Sequence, residues 1–139
     1  MKLLLDTHAL IWLVEDDARM GKQAREAIVE PGNDVFVSIV SFWEIAVKIR
    51  IGKLKKVDLE KVMVAVTSHG LELLHLEQHH ITELIKLPFH LDHRDPFDHQ
   101  LIAQAIAEDL IFVSNDRNTL RYPVKRIACS NVHGATPNR

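Results

Sequence analysis

Apolar residues along this chain alternate between short unbroken runs and sets at helical spacing, and that alternation predicts an order of elements. Leu3-Leu4-Leu5 is a run closed by Asp6, the pattern of a buried strand over Lys2 to Asp6. From Thr7 onward Leu10, Ile11 and Val14 recur at helical spacing up to Glu15-Asp16-Asp17. A second helix is predicted from Lys22 to Glu30 and is stopped by the turn-forming Pro31-Gly32-Asn33-Asp34, after which Val35-Phe36-Val37 reads as a second buried strand. Ser41 begins a helix to about Ile51, with Phe42, Ile45, Ala46 and Ile49 on one face, Glu44 and Lys48 on the other, and Gly52 as terminator. Asp58 caps a helix carrying Val62 and Val66 that ends at Gly70; Leu71 to Leu76 follows as a strand, and Glu77 to Leu87 is helical until Pro88. Asp95-Pro96 opens a helix to about Glu108. Leu110 to Val113 reads as a fourth strand, Asn115 to Leu120 as a short helix, and Val124 to Ala128 as a fifth strand.

Strands separated by helices of this length require crossover connections, hence a mainly parallel sheet covered on both faces. The expected fold is α/β: three layers, α/β/α, around four to five strands. The 139 residues carry 47% hydrophobic and 26% charged side chains, which excludes disorder of the whole chain and suits one domain over 1–139 with a loosely ordered tail over 130–139. The uncharged apolar run from Val35 to Trp43 is far shorter than the ~20 residues of a membrane-spanning helix, so no membrane partner is expected. Asp6 breaks the opening leucines too early for an export signal, and Cys129, the single cysteine, fits a reducing compartment; a cytoplasmic protein is expected. A net charge of −2 argues against binding nucleic acid through an overall positive field, but leaves room for a local basic patch.

In parallel α/β sheets the working site lies beyond the carboxyl ends of the strands. Asp6 ends the first strand, Glu44 follows the second, Asp98 opens the helix leading into the fourth, and Asp116 comes just after the fourth, so four carboxylates should converge on one edge. Each also has a purely structural reading. Glu44 stands three residues after Ser41 and Asp98 three after Asp95, both capping-box spacings, while Asp6 and Asp116 suit the positive end of a helix. Together they change the balance: two carboxylates ~4 Å apart repel by about 4 kcal/mol at an effective dielectric near 20, so four at one edge need a cation. An all-oxygen site suits Mg²⁺ or Mn²⁺ rather than zinc or copper, and such an ion makes phosphodiester hydrolysis the natural chemistry.

At these residues the chain resembles the PIN-domain ribonucleases, specifically the VapC-like toxins of type II toxin–antitoxin modules. The likeness is carried in order by Leu4-Leu5-Asp6-Thr7-His8-Ala9-Leu10-Ile11-Trp12, by Ser41 to Lys48, by His93-Arg94-Asp95-Pro96-Phe97-Asp98 with Leu101 to Ala105, and by Val113-Ser114-Asn115-Asp116. The resemblance implies that Asp6, Glu44, Asp98 and Asp116 are the catalytic, metal-holding residues of an endoribonuclease using Mg²⁺ (or Mn²⁺). It also implies an RNA substrate, a homodimer, and neutralisation by a cognate antitoxin. One position departs: where this branch commonly carries Arg after the residue matching Asp98, this chain has His99.

Thr7 and Lys48 are the candidate substrate contacts: Thr7 by a hydroxyl beside Asp6 or, alternatively, as an ordinary helix cap, and Lys48 by holding a phosphate or pairing with Glu44 one turn before it. Ser41, Asp95 and Asn115 are expected to support the ligands from behind. Arg50, Lys53, Lys55 and Lys56 extend the basic stretch begun by Lys48. Trp12, Trp43 and Phe97 are expected in the core, and Ile11, Trp12 and Leu13 could alternatively offer an exposed groove to a partner helix. The histidines do not predict zinc, because neighbours such as His79 and His80 should diverge on a helix. The alternative class is a non-catalytic, receiver-like regulatory module that binds Mg²⁺. It fits less well, since the acidic pair Asp16-Asp17 lies at a helix end rather than at the first strand.

Overall fold

The structure, a computed structural model, describes residues 1–130. Except for Ser130, the expected tail over 130–139 lies outside the described residues. The elements run β1 (Lys2–Leu5), α1 (Thr7–Val14), α2 (Lys22–Val29), β2 (Asp34–Ser38), α3 (Ile39–Arg50), α4 (Leu59–Ser68), β3 (Glu72–Leu74), α5 (Gln78–Ile85), α6 (Pro96–Ala107), β4 (Ile111–Val113), a 3₁₀ turn over Arg117–Arg121, and β5 (Arg126–Ile127).

All five strands pair in parallel, in the order β3-β2-β1-β4-β5. Leu5 lies opposite both Val37 and Val113, so the strand ends that precede Asp6, α3 and the Ser114 to Asp116 loop are level. This order overturns the receiver-like alternative, because receiver domains order their strands 2-1-3-4-5.

Period-two alternation within the short strands builds two cores. Leu3, Leu5, Val35, Val37 and Val113 face α1, α2, α4 and one side of α3. Leu4, Phe36 and Phe112 face α6, with Leu101, Ile102 and Ala105. The expected three layers are thus present, with β1 buried on both faces at the centre.

α3 begins two residues before the predicted start. The last residue of β2, Ser38, is its N-cap: the Ser38 hydroxyl accepts from Val40 N–H at 3.0 Å and donates to Gln104 Oε1 at 2.5 Å. Strand passes into helix with no loop, so Ser41 lies inside the first turn and the Ser41–Glu44 capping box does not form. Gly52 and Gly70 do terminate α3 and α4, each at a positive φ that a side chain would strain.

α5 and α6 are held together by a polar clamp. His80, fully buried, accepts the Glu77 backbone N–H on Nδ1 at 3.0 Å, and its Nε2 therefore donates to Glu108 Oε2 at 2.7 Å. His79 Nε2 reaches the same oxygen at 2.8 Å, and the two rings lie 4.2 Å apart, so these neighbours converge rather than diverge. With the His80 Nδ1 lone pair taken by a backbone donor, Nε2 has a proton to give and no lone pair for a metal. No helix among the described residues is long and apolar enough to cross a membrane.

Candidate active site

The strand ends and the starts of α1, α3 and α6 surround a cavity of about 310 Å³ lined by Asp6, Glu44, Asp98 and Asp116, with His8, Trp12, Lys48, Asp95, Asn115 and Cys129 at its walls. All four sequence-predicted carboxylates therefore meet at one place. Each is delivered by local backbone chemistry. Asp6 is the N-cap of α1, accepting Ala9 N–H on Oδ1 at 2.7 Å, and its own N–H donates to Val113 O across the sheet. Asp95 caps α6 through Phe97 N–H at 2.9 Å and Asp98 N–H at 3.3 Å, which turns Asp98 in the first turn toward the cavity. Asp116 caps the 3₁₀ turn through Asn118 N–H at 2.9 Å with Oδ1, leaving Oδ2 toward the cavity.

Glu44 is buried, and both of its oxygens are held. Thr7 Oγ1 donates to Oε1 at 2.5 Å, and Lys48 Nζ donates to Oε2 at 2.5 Å. Thr7 is therefore neither the α1 cap, which is Asp6, nor a group presented to the open cavity: its hydroxyl is spent on Glu44, with Ser41 Oγ 3.0 Å away. Lys48 pairs with Glu44, one of its two expected readings, and lines the cavity as well. Asn115 lines the cavity and accepts from the Ser130 hydroxyl at 2.9 Å, pinning the last described residue against the site.

The electrostatics follow from crowding. Burial first, then Asp95, Glu44, Asp116 and Asp6, push the Asp98 carboxyl up to about 8. Burial also raises Asp6, against hydrogen bonds from Ser114 and Ala9. Burial pulls the Lys48 ammonium down, but Glu44, Asp95 and Asp98 outweigh it and hold the group above its ordinary value. One lysine does not balance this set of acids, and the surplus of hard oxygen donors fits a divalent cation.

His93 opens one of the segments that carry the resemblance, yet the sequence assigns it no role beside the carboxylates. It is 6% exposed on the loop before α6, with Nε2 3.4 Å from Asp98 Oδ2 and 4.0 Å from Asp116 Oδ2. Its Nδ1 is 2.8 Å from the buried Tyr122 hydroxyl, which in turn lies 3.2 Å from His99 Nε2. Burial first, then His99, keep the His93 imidazole below its ordinary value, hence neutral near pH 7. The only signal in the sequence is the nearness of His93 to Asp98, since Tyr122 comes 29 residues later.

Of the three aromatic residues expected in the core, one is a correction. Trp43 is 58% exposed and rests edge-on against half-buried Phe97, ring centroids 4.9 Å apart, because the core side of α3 is taken by Phe42 and Ile45. Trp12 is half-buried against the core, as expected, with the Arg19 guanidinium 4.9 Å from its ring centre. Ile11 is buried and Leu13 half-buried, both packed against the core. Cys129 is buried, and desolvation pushes its thiol up to about 12.

Comparison with solved structures finds the same fold over nearly the whole chain. A chain of VapBC2 from Rickettsia felis, bound to a DNA fragment from its promoter, superposes with a TM-score of 0.72 at 16% identity, covering 92% of this chain and 98% of that one. DNA-bound VapBC from Salmonella typhimurium gives 0.65 at 18% identity over 92% and 98%. VapBC-5 from Mycobacterium tuberculosis, a member of the VapBC family of toxin–antitoxin systems, gives 0.57 at 18% identity over 93% and 98%. A comparison with curated proteins finds no match. The PIN-domain family model, however, matches residues 3–125, a span that takes in all four carboxylates of the cavity. The chain belongs to the PIN-domain family.

Proposed function

We propose that the protein is a divalent-metal-dependent endoribonuclease acting in the cytoplasm as the toxin of a toxin–antitoxin pair. The observation that carries this reading is the convergence of Asp6, Glu44, Asp98 and Asp116 on one cavity with Lys48 as the cation beside them. The family match supports nuclease chemistry, and the likeness to chains of VapBC assemblies supports a cognate antitoxin as partner. An RNA substrate and a homodimer follow from the resemblance of the strand-end segments.

Asp6, Glu44, Asp98 and Asp116 would hold Mg²⁺ or Mn²⁺. When bound, the ion polarises a phosphoryl oxygen and eases deprotonation of water near the phosphorus. Thr7 fixes the Glu44 carboxylate so that its orientation costs nothing at the moment of reaction. Asp95 fixes the start of α6 and with it Asp98. Lys48, already drawn to the cavity by Glu44, is placed to neutralise a phosphate oxygen as charge builds there, its ammonium fully protonated at neutral pH. A site built on these groups grips the phosphodiester and not the base, so sequence preference must come from surfaces outside it.

The test is cleavage of a panel of structured RNAs by purified protein with and without Mg²⁺ or Mn²⁺. Cleavage should stop on chelation, return with either ion, and be absent in Asp6→Asn and Asp98→Asn that still fold. An Asp98→Asn protein that cuts RNA as fast as wild type sinks the reading.

A further inference from the structure

The contact between His93 and the carboxylates is too long for the bond it resembles. A proton shared between an imidazole and a carboxylate gives N···O distances of about 2.7–2.9 Å, whereas His93 Nε2 stands 3.4 Å from Asp98 Oδ2 and 4.0 Å from Asp116 Oδ2. The ring is not short of good geometry elsewhere, since Nδ1 lies 2.8 Å from Tyr122 Oη. One ligand atom from each of His93, Asp98 and Asp116 lies within 4.8 Å of the others, and both nitrogen–oxygen separations are longer than hydrogen bonds. They match the spacing of neighbouring ligands on one cation, about 3 Å or more for ligand bonds near 2.1 Å.

We propose that His93 Nε2 is a direct ligand, with Asp98 and Asp116, of a divalent transition-metal ion of the Mn²⁺ type, making the site a mixed nitrogen–oxygen centre rather than an all-carboxylate one. The inference rests on the metal-dependent reading above and deepens it by naming the ion class. Mg²⁺ prefers oxygen donors and keeps its waters, while first-row transition ions accept imidazole.

The hydrogen-bond chain behind the ring sets the tautomer that ligation needs. A ligating His usually donates its other N–H to a fixed acceptor, which orients the ring. With Nε2 ligating, His93 Nδ1–H donates to Tyr122 Oη, 2.8 Å away, and the Tyr122 hydroxyl is free to donate to His99 Nε2 at 3.2 Å. That direction leaves the His93 Nε2 lone pair facing Asp98 and Asp116. His99 matters because an imidazole nitrogen can accept. An arginine at this position could only donate, which would turn the Tyr122 hydroxyl toward His93 and place a proton on Nε2. His93 and Tyr122 are both buried, and the rings of His93 and His99 pack edge to face at 4.7 Å, so the chain has little room to rearrange.

The experiment is pulsed electron paramagnetic resonance on Mn²⁺ bound to the full chain, with Mn²⁺ and Mg²⁺ affinities measured by calorimetry. Wild type should show the nuclear modulation of a directly bound ¹⁴N and bind Mn²⁺ more tightly than Mg²⁺. His93→Gln should keep Mn²⁺ but lose the nitrogen signal, with affinity falling about 10- to 100-fold. His99→Arg should weaken Mn²⁺ binding by a similar factor, while His99→Gln, which can accept through Oε1, should retain it. Bound Mn²⁺ that is lost in Asp98→Asn, yet carries no nitrogen signal in wild type or keeps it in His93→Gln, overturns the ligand assignment and leaves the nuclease reading standing. Wild-type affinity in His99→Arg overturns the hydrogen-bond direction. Failure of wild type to bind either ion overturns both readings.

Discussion

Asp98 shows how one residue can tie folding to metal binding. An unfolded aspartate titrates near 3.9, while burial and the surrounding acids push Asp98 in the folded, metal-free chain up to about 8. Between those values the native state holds a proton that the unfolded chain has released, so stability falls as pH rises from about 4 to about 8. Urea unfolding of the metal-free protein should therefore give a lower free energy at pH 8 than at pH 5.5, and Asp98→Asn should flatten that slope. A slope of equal steepness in the variant would show that other groups set it. On the proposed reading Asp98 must ionise to serve as a ligand, so metal uptake at pH 7 should release close to one proton, readable from calorimetry in buffers of different ionisation enthalpy. Thr7 acts through Glu44 on the same scale. Thr7→Val keeps the shape but removes the donor to a buried carboxylate, at a cost of about 1.5–3 kcal/mol. Metal affinity should fall with it, and Thr7→Ser should restore both. Asp6 and Asp116 were legible in the sequence because strand ends are marked by the end of an apolar run, and Glu44 and Asp98 because each lies near the start of a helix. Thr7's partner was not, because Glu44 lies 37 residues away on another helix.

Among the elements, what could be read was whatever a local signal punctuates. Asp58, Asp95-Pro96, Gly52 and Gly70 mark helix ends by their own backbone preferences, and those ends are where the structure has them. The start of α3 was misread because Val35 to Trp43 offers no break and Ser41-x-x-Glu44 imitates a capping box, while the true cap, Ser38, is secured by Gln104 from a helix 66 residues away. The α5–α6 clamp was hidden for the same reason: a helical wheel separates His79 from His80, and only Glu108 on the far side of the pair brings their rings together. The clamp supports a prediction. His80→Ala removes the acceptor for the Glu77 N–H, the donor to Glu108 and a fully buried ring, and should cost about 2–4 kcal/mol. Glu108→Gln, which keeps an acceptor oxygen, should cost less than half as much. Equal losses in urea unfolding would mean that charge, and not the hydrogen bonds, holds α5 to α6.

At the scale of the whole molecule the near-zero net charge conceals a separation. With the four proposed ligands set aside, 15 acids face 17 bases, and the bases are concentrated from Lys48 to Lys56. Lys48 lines the cavity, while Arg50, Lys53, Lys55 and Lys56 continue outward from the end of α3, all exposed. On the proposed reading, a polyanion approaching along that stretch would meet attraction until it reached the cavity, where unneutralised carboxylates would repel it and a divalent cation would remove the barrier. Affinity for a short single-stranded RNA should therefore rise on adding Ca²⁺, used to occupy the site without turnover, and this gain should vanish in Asp98→Asn. Replacing Lys53, Lys55 and Lys56 together with Ala should weaken binding in Ca²⁺ and flatten the dependence of log affinity on log salt by about 0.7 for each phosphate that is no longer neutralised. Stability should barely change, since exposed lysines contribute little to it. Fluorescence anisotropy across a salt series reads both effects. A triple variant with an unchanged salt slope would show that RNA leaves the cavity along another face, with the Trp43–Phe97 rim the next place to look because its exposed ring could stack on a base.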